Sequence, residues 1–88
     1  MYFNFLTLSD GTQYFFSEAE RDDQSQDIMH IVVERWSRQR ARYDVLYLRA
    51  PQMSIVKQAG FSDKEVADHM ERVNWYQDNM WEHSCNAE

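Results

Sequence analysis

The tetrapeptide Ser62-Asp63-Lys64-Glu65 narrows the fold of this chain more than any other stretch. It is a capping box. The Ser62 hydroxyl can accept from the Glu65 N–H while the Glu65 carboxylate accepts from the Ser62 N–H. Phe61 before the cap and Val66 beyond it have the spacing of a hydrophobic staple. Asp63 puts negative charge in the first turn, where the helix dipole favours it. Val66, Met70, Val73 and Met80 then recur on one face, with Ala67, Tyr76 and Trp81 on its flanks. The spacing predicts a helix over about 63–82, with Asp63, Lys64, Asp68, Glu71, Arg72 and Asp78 off the buried face.

The remaining elements follow from turn signals and periodicity. Residues 2–8 alternate, Asp10-Gly11 is a hairpin turn signal, and 13–17 supplies a second strand. Glu18 to Gln26 is a polar, acidic linker. Ile28, Ile31, Val32 and Trp36 fit a helical stripe over 27–42, and Glu34–Arg38 is an i,i+4 pair. Tyr43, Leu46, Tyr47 and Ala50 continue that stripe. The same residues have strand propensity, which would add a third strand to the hairpin. With no Gly or Pro before Pro51, helix to about 49 is favoured. Ser54–Ala59 reads as a short helix with Ile55, Val56 and Ala59 inward, ended by Gly60 at C′. The expected fold is α+β: an N-terminal β-hairpin packed on two main α-helices plus one short helix. It forms a single small acidic domain over 1–88, with a frayed tail from about 83.

Charge limits the partners. The net charge of −6 argues against direct nucleic-acid binding and against anionic membranes, which require a cationic surface. It suits solubility or a basic partner. Residues 1–34 hold one Arg against seven acids, 35–49 hold five Arg against Asp44, and 50–88 hold three bases against seven acids. A basic band therefore separates two acidic segments and can neutralise them across the fold. One cysteine, Cys85, cannot form an internal disulfide and fits a reducing compartment. No apolar run approaches a membrane span, and the N-terminus lacks the basic and apolar regions of a signal peptide. The expected location is cytoplasmic.

Catalytic and metal chemistry find little support. His30, His69, His83 and Cys85 lack the paired spacing of a zinc site, so no metal and no cofactor is expected. Cys85 lies in a terminal stretch without the fixed electropositive niche of a reactive thiolate. Glu18, Glu20, Asp22 and Asp23 read as a solvated loop rather than an acid–base pair. Two glycines cannot build a phosphate-binding loop. No enzymatic activity is expected.

The stretch 54–70 has spacings close to a helix-turn-helix, with Val56, Gly60 and Val66 at the key positions. Separately, G-F-S-D-K-E-V-A at 60–67 resembles the G-L-S-N-K-E-I-A stretch of LuxR-type regulators. The resemblance covers eight residues and implies the opening helix of a DNA-binding motif. No Ser/Thr-rich recognition helix follows. A helix 62–74 used in that role would turn Asp63, Glu65, Asp68 and Glu71 towards phosphates. A small DNA-binding regulator is thus the alternative reading, and a structural subunit of a larger assembly is another.

The leading expectation is a non-enzymatic binding or inhibitory protein. Asp63, Asp68, Glu71 and Asp78 on the helix, with Glu18, Glu20, Asp22 and Asp23 upstream, supply acidic surface. Carboxylates one helix turn apart are about 5–6 Å from one another, similar to phosphates along a strand. Size, charge and aromatic content resemble the acidic phage and mobile-element antagonists of restriction and CRISPR enzymes, which occupy basic clefts as nucleic-acid mimics. Trp75 and Trp81, with Tyr76 and Met80, cover more than one helix face, which predicts aromatic anchors for a protein partner or a homodimer.

Overall fold

The computed structural model describes residues 2–85, the side chain of Cys85 apart. It shows six strands and one helix. The strands are β1 (Tyr2–Thr7), β2 (Gln13–Ser17), β3 (Glu20–Arg21), β4 (Asp27–Ser37), β5 (Arg42–Ala50) and β6 (Ser54–Ala59), and the helix is α1 (Asp63–Cys85). The sheet is an antiparallel meander in the order β1-β2-β4-β5-β6. The short β3 pairs with Asp27 and Ile28 at the start of β4, on the side where β2 pairs further along. β2 and β3 thus read as one strand line broken at Glu18-Ala19.

The hairpin lies where Asp10-Gly11 places it. Gly11 takes φ 91°, its N–H donates to the Leu8 carbonyl at 3.0 Å, and Asp10 Oδ1 accepts from the Thr12 N–H at 2.9 Å. Helix α1 also starts at its box. The Ser62 N–H donates to Glu65 Oε1 at 3.0 Å and the Glu65 N–H to Ser62 Oγ at 3.2 Å. Phe61 and Val66 are both buried in the core. The helix ends three residues later than expected, and Ser84 Oγ anchors its last turn to the Ser17 carbonyl at 2.7 Å. Of the expected frayed tail, 83–85 are helical and 86–88 lie outside the described residues.

The middle of the chain corrects the expected fold. Residues 27–37, 42–50 and 54–59 are strands, so there is one helix rather than two main helices and a short one. The inward residues of β4 are Met29, Ile31 and Val33, spaced by two, and those of β5 are Asp44, Leu46, Leu48 and Ala50. The helical stripe through Ile28, Ile31, Val32 and Trp36 therefore mixes both sheet faces. Gly60 takes φ 89° in the turn between β6 and α1 and caps no helix. The segment 54–70 is strand, turn and helix, which removes the helix-turn-helix.

Helix α1 crosses one face of the sheet over β2 and β4. Tyr14, Phe16, Met29, Ile31, Val33, Leu46 and Leu48 from the sheet meet Phe61, Val66, Val73 and Met80. Burying each large side chain contributes about 1.5–3 kcal/mol. The opposite face of the sheet carries no second layer among the described residues.

Candidate functional site

The capping box sets the rotation of α1, and that rotation decides which acids face outward. Val66, His69, Val73, Met80 and Ser84 are buried, so Asp68, Glu71, Trp75, Asp78 and Glu82 line the opposite side. Trp75 is 76% exposed. It lies four residues after Glu71 and three before Asp78, about one helix turn from each. A shallow groove of about 180 Å³ runs between Asp68, Glu71, Arg72 and Trp75. Asp63 is exposed at the first helical position, off to one side of this ridge.

Not every expected site residue belongs to it. Trp81 is only partly exposed, packs against the core, and donates from Nε1 to Gln77 Oε1 at 3.0 Å. It is a packing residue more than an anchor. Glu18, Glu20, Asp22 and Asp23 lie beside the start of β4, where the C-terminal end of α1 is tied down by Ser84. Glu20 accepts from His30 Nε2 at 2.9 Å. Asp22 accepts from the N–H groups of Gln24 and Gln26 and pairs with Arg49 at 3.6 Å. The Gln26 N–H bond holds the Asp22 carboxyl below the usual range.

The acids differ in their partners. Asp10, Glu20, Asp22, Asp27, Asp44 and Glu65 sit within ion-pair distance of Arg or His. Asp68, Glu71, Asp78 and Glu82 enter no ion pair among the described residues. Arg35, Arg40 and Arg49 hold Asp10, Asp22, Asp44 and Glu65, whereas on the outer side of α1 the acids outnumber Arg72, the cation that shares their groove.

At the other end of α1 lies a polar network. Arg35 donates to Asp44 Oδ2 at 3.0 Å and to Glu65 Oε2 at 2.8 Å, and approaches Asp10 at 3.7 Å. Arg40 donates to Asp44 Oδ1 and reaches the Gly60 carbonyl at 3.3 Å. The Ser62 N–H and then the Arg35 guanidinium hold the Glu65 carboxyl below its ordinary value. Beside this network Arg72 Nη1 donates to Tyr14 Oη at 2.9 Å, and Tyr14 Oη lies 2.5 Å from His69 Nδ1, where the phenol donates to an imidazole that carries its proton on Nε2. Burial, then the nearby Arg72, pushes the His69 pKa down, and burial pushes the Tyr14 phenol up. Both groups are held in their uncharged forms, as a strut between β2 and α1.

The sequence reading did not find this network, because Tyr14 and His69 stand 55 residues apart and Arg35 pairs with Asp44 only across a β-ladder. Among the described residues no group of three His, Cys, Asp or Glu is arranged to hold a metal ion, and no helix is long and apolar enough to cross a membrane. The fold defines a two-layer α+β protein, one helix over an open antiparallel sheet. No protein family, curated protein or solved structure matches this chain.

Proposed function

We propose that this chain is a non-enzymatic binding protein that lays the outer face of α1 on a basic protein surface, with Trp75 as anchor. The observation that carries this reading is the division of the acids. Asp22, Asp44 and Glu65 are each held by an arginine, while Asp68, Glu71, Asp78 and Glu82, which enter no ion pair among the described residues, surround a tryptophan that touches little of its own protein. An exposed Trp is costly to solvate and is the residue type most enriched among binding hot spots. The carboxylates give the encounter its direction and its salt dependence. Their spacing suits a cleft that otherwise holds phosphates. The specific form proposed is a nucleic-acid mimic that blocks a nuclease of host defence, acting in the cytoplasm.

The test is competition. A basic restriction or CRISPR nuclease recovered with this protein from host lysate is titrated with it in the presence and absence of its own DNA substrate. Mutual exclusion, and binding that weakens as salt rises, support the reading. Replacing Asp68, Glu71 and Asp78 together by Lys should abolish binding while the far-ultraviolet circular dichroism stays unchanged. Binding that survives this triple reversal overturns the acidic-ridge reading, and a salt-resistant complex points to a structural subunit.

A further inference from the structure

The face of the sheet turned away from α1 is apolar where water contact calls for polar residues. An antiparallel sheet with one wet face alternates apolar-in and polar-out along each strand. Here the outward residues Phe15, Val32 and Tyr47 stand in one cross-strand row, by the registers Phe15↔Val32 and Val32↔Tyr47. They line an open groove of about 300 Å³ with Tyr2 and Glu34. Further along the same face Trp36 and Tyr43 stack edge to face at 5.1 Å, and each keeps about half its surface exposed, 51% and 52%. Among the described residues nothing covers this row.

We infer that the open sheet face is a homodimer interface and that its occupant is the same face of a second copy. Three observations favour a second copy over a different partner. The first is area. The chain measures 41 × 23 × 22 Å, so a long face projects roughly 900 Å², against the ~800 Å² that one partner contributes to a stable interface. The second is charge. The acid surplus lies on the outer face of α1, so two copies meeting sheet to sheet keep their like charges apart, whereas contact through α1 would oppose them. The third is self-complementarity. Glu34 is half-buried on the open face with no ion pair among the described residues. Lys57, on the same face, has only the Tyr47 ring beneath it, at 5.8 Å. A two-fold contact repeats every pair twice, so Glu34 of each copy can meet the partner copy's lysine across the apolar row. The dimer presents two α1 ridges facing away from each other. This does not depend on what the ridges bind.

The experiment is sedimentation equilibrium of the full chain, with circular dichroism as the folding control. The wild type should run at twice 10.7 kDa. Val32→Glu places a carboxylate in the centre of the row and should raise the dissociation constant by about a hundredfold or more without changing the spectrum. Glu34→Lys should weaken the dimer about tenfold, and adding Lys57→Glu should restore most of that loss by exchanging the pair. Trp75→Ala should leave the dimer intact. A wild type that stays monomeric at about 100 µM overturns the inference, since interfaces of this size bind at micromolar or tighter. So does a Val32→Glu protein that remains dimeric. If Val32→Glu fails to fold, the Glu34/Lys57 exchange decides the matter alone, and absence of rescue counts against the contact.

Discussion

Arg35 and Asp44 are direct cross-strand partners on β4 and β5, joined Nη2 to Oδ2 at 3.0 Å, and the Asp44 side chain is only 1% exposed. Asp44 also accepts from Arg40, so one buried carboxylate holds the β4–β5 hairpin and two guanidinium groups. Through Arg35 the same cluster reaches Glu65 in the first turn of α1. Removing one partner of a buried charged cluster leaves the others uncompensated. Asp44→Ala should therefore destabilise the fold by about 3 kcal/mol. Urea denaturation measures this directly. A loss below about 1 kcal/mol, the worth of an exposed pair, would show that the cluster is solvated rather than structural.

Gly60 stands against that cluster. Its φ is 89°, and a Cβ built there would overlap the Asp44 carboxylate. Gly60→Ala therefore combines a conformation that L residues adopt at a cost with a steric clash. Each effect is worth about 1 kcal/mol or more. Since the clash is with a side chain whose position is fixed by two arginines, relaxation is limited. The expected loss is about 2–3 kcal/mol, read as a lower denaturation midpoint with an unchanged m-value.

What the sequence shows of this fold divides by range. The hairpin turn and the start of α1 rest on bonds spanning a few residues, as between Asp10 and Thr12 or Ser62 and Glu65, and both stand where the residues place them. The strands β4 and β5 were obscured by their outward residues. Val32, Trp36 and Tyr47 point away from α1 yet are apolar, so inward and outward positions merge into one apolar run. Such a run fits a helix stripe and a strand equally well. The feature that hid the strands is the one that leaves the sheet an apolar open face. The acidic ridge was half legible, because helical spacing assigns Asp68, Glu71, Trp75 and Asp78 to one side. That Glu18 to Asp23 lie beside the start of β4, and that Trp81 packs inward, depends on where the sheet puts the chain.

The cap of α1 offers a local test. Ser62→Ala removes the acceptor for the Glu65 N–H at the point where Glu65 also holds Arg35. N-cap losses of this kind cost about 1 kcal/mol. Glu65→Gln keeps an oxygen for the Ser62 N–H but loses the ion pair with Arg35. The Glu65 carboxyl lies below its ordinary value of 4.5, so its contribution is full above that pH and is lost as pH falls through the lower folded value. Glu65→Gln should accordingly destabilise the protein at pH 7 and have a smaller effect at the lowest pH where the fold survives. An equal loss at both values would assign the effect to packing instead.

His69 sets a second pH dependence, at higher pH. Its imidazole accepts from Tyr14, is nearly buried, and has a pKa pushed below 6.5 by burial and by Arg72. The groups that bear on it are Asp10, Arg35, Glu65 and Arg72, and the two carboxylates only partly offset the two arginines and the burial. The unfolded chain therefore takes up a proton near 6.5 that the folded chain refuses. Stability is complete above 6.5 and falls as pH drops from 6.5 towards the lower folded pKa. Thermal unfolding of the wild type should show Tm falling between about pH 7 and pH 5. Tyr14→Phe removes the donor to Nδ1 and leaves the ring in place. It should lower Tm at neutral pH by the loss of a buried hydrogen bond, about 1 kcal/mol or somewhat more. It should also lessen the fall in Tm below pH 6.5, because Nδ1 is then free to take a proton. A His69 resonance that titrates at or above 6.5 by NMR would contradict this account of the strut between β2 and α1.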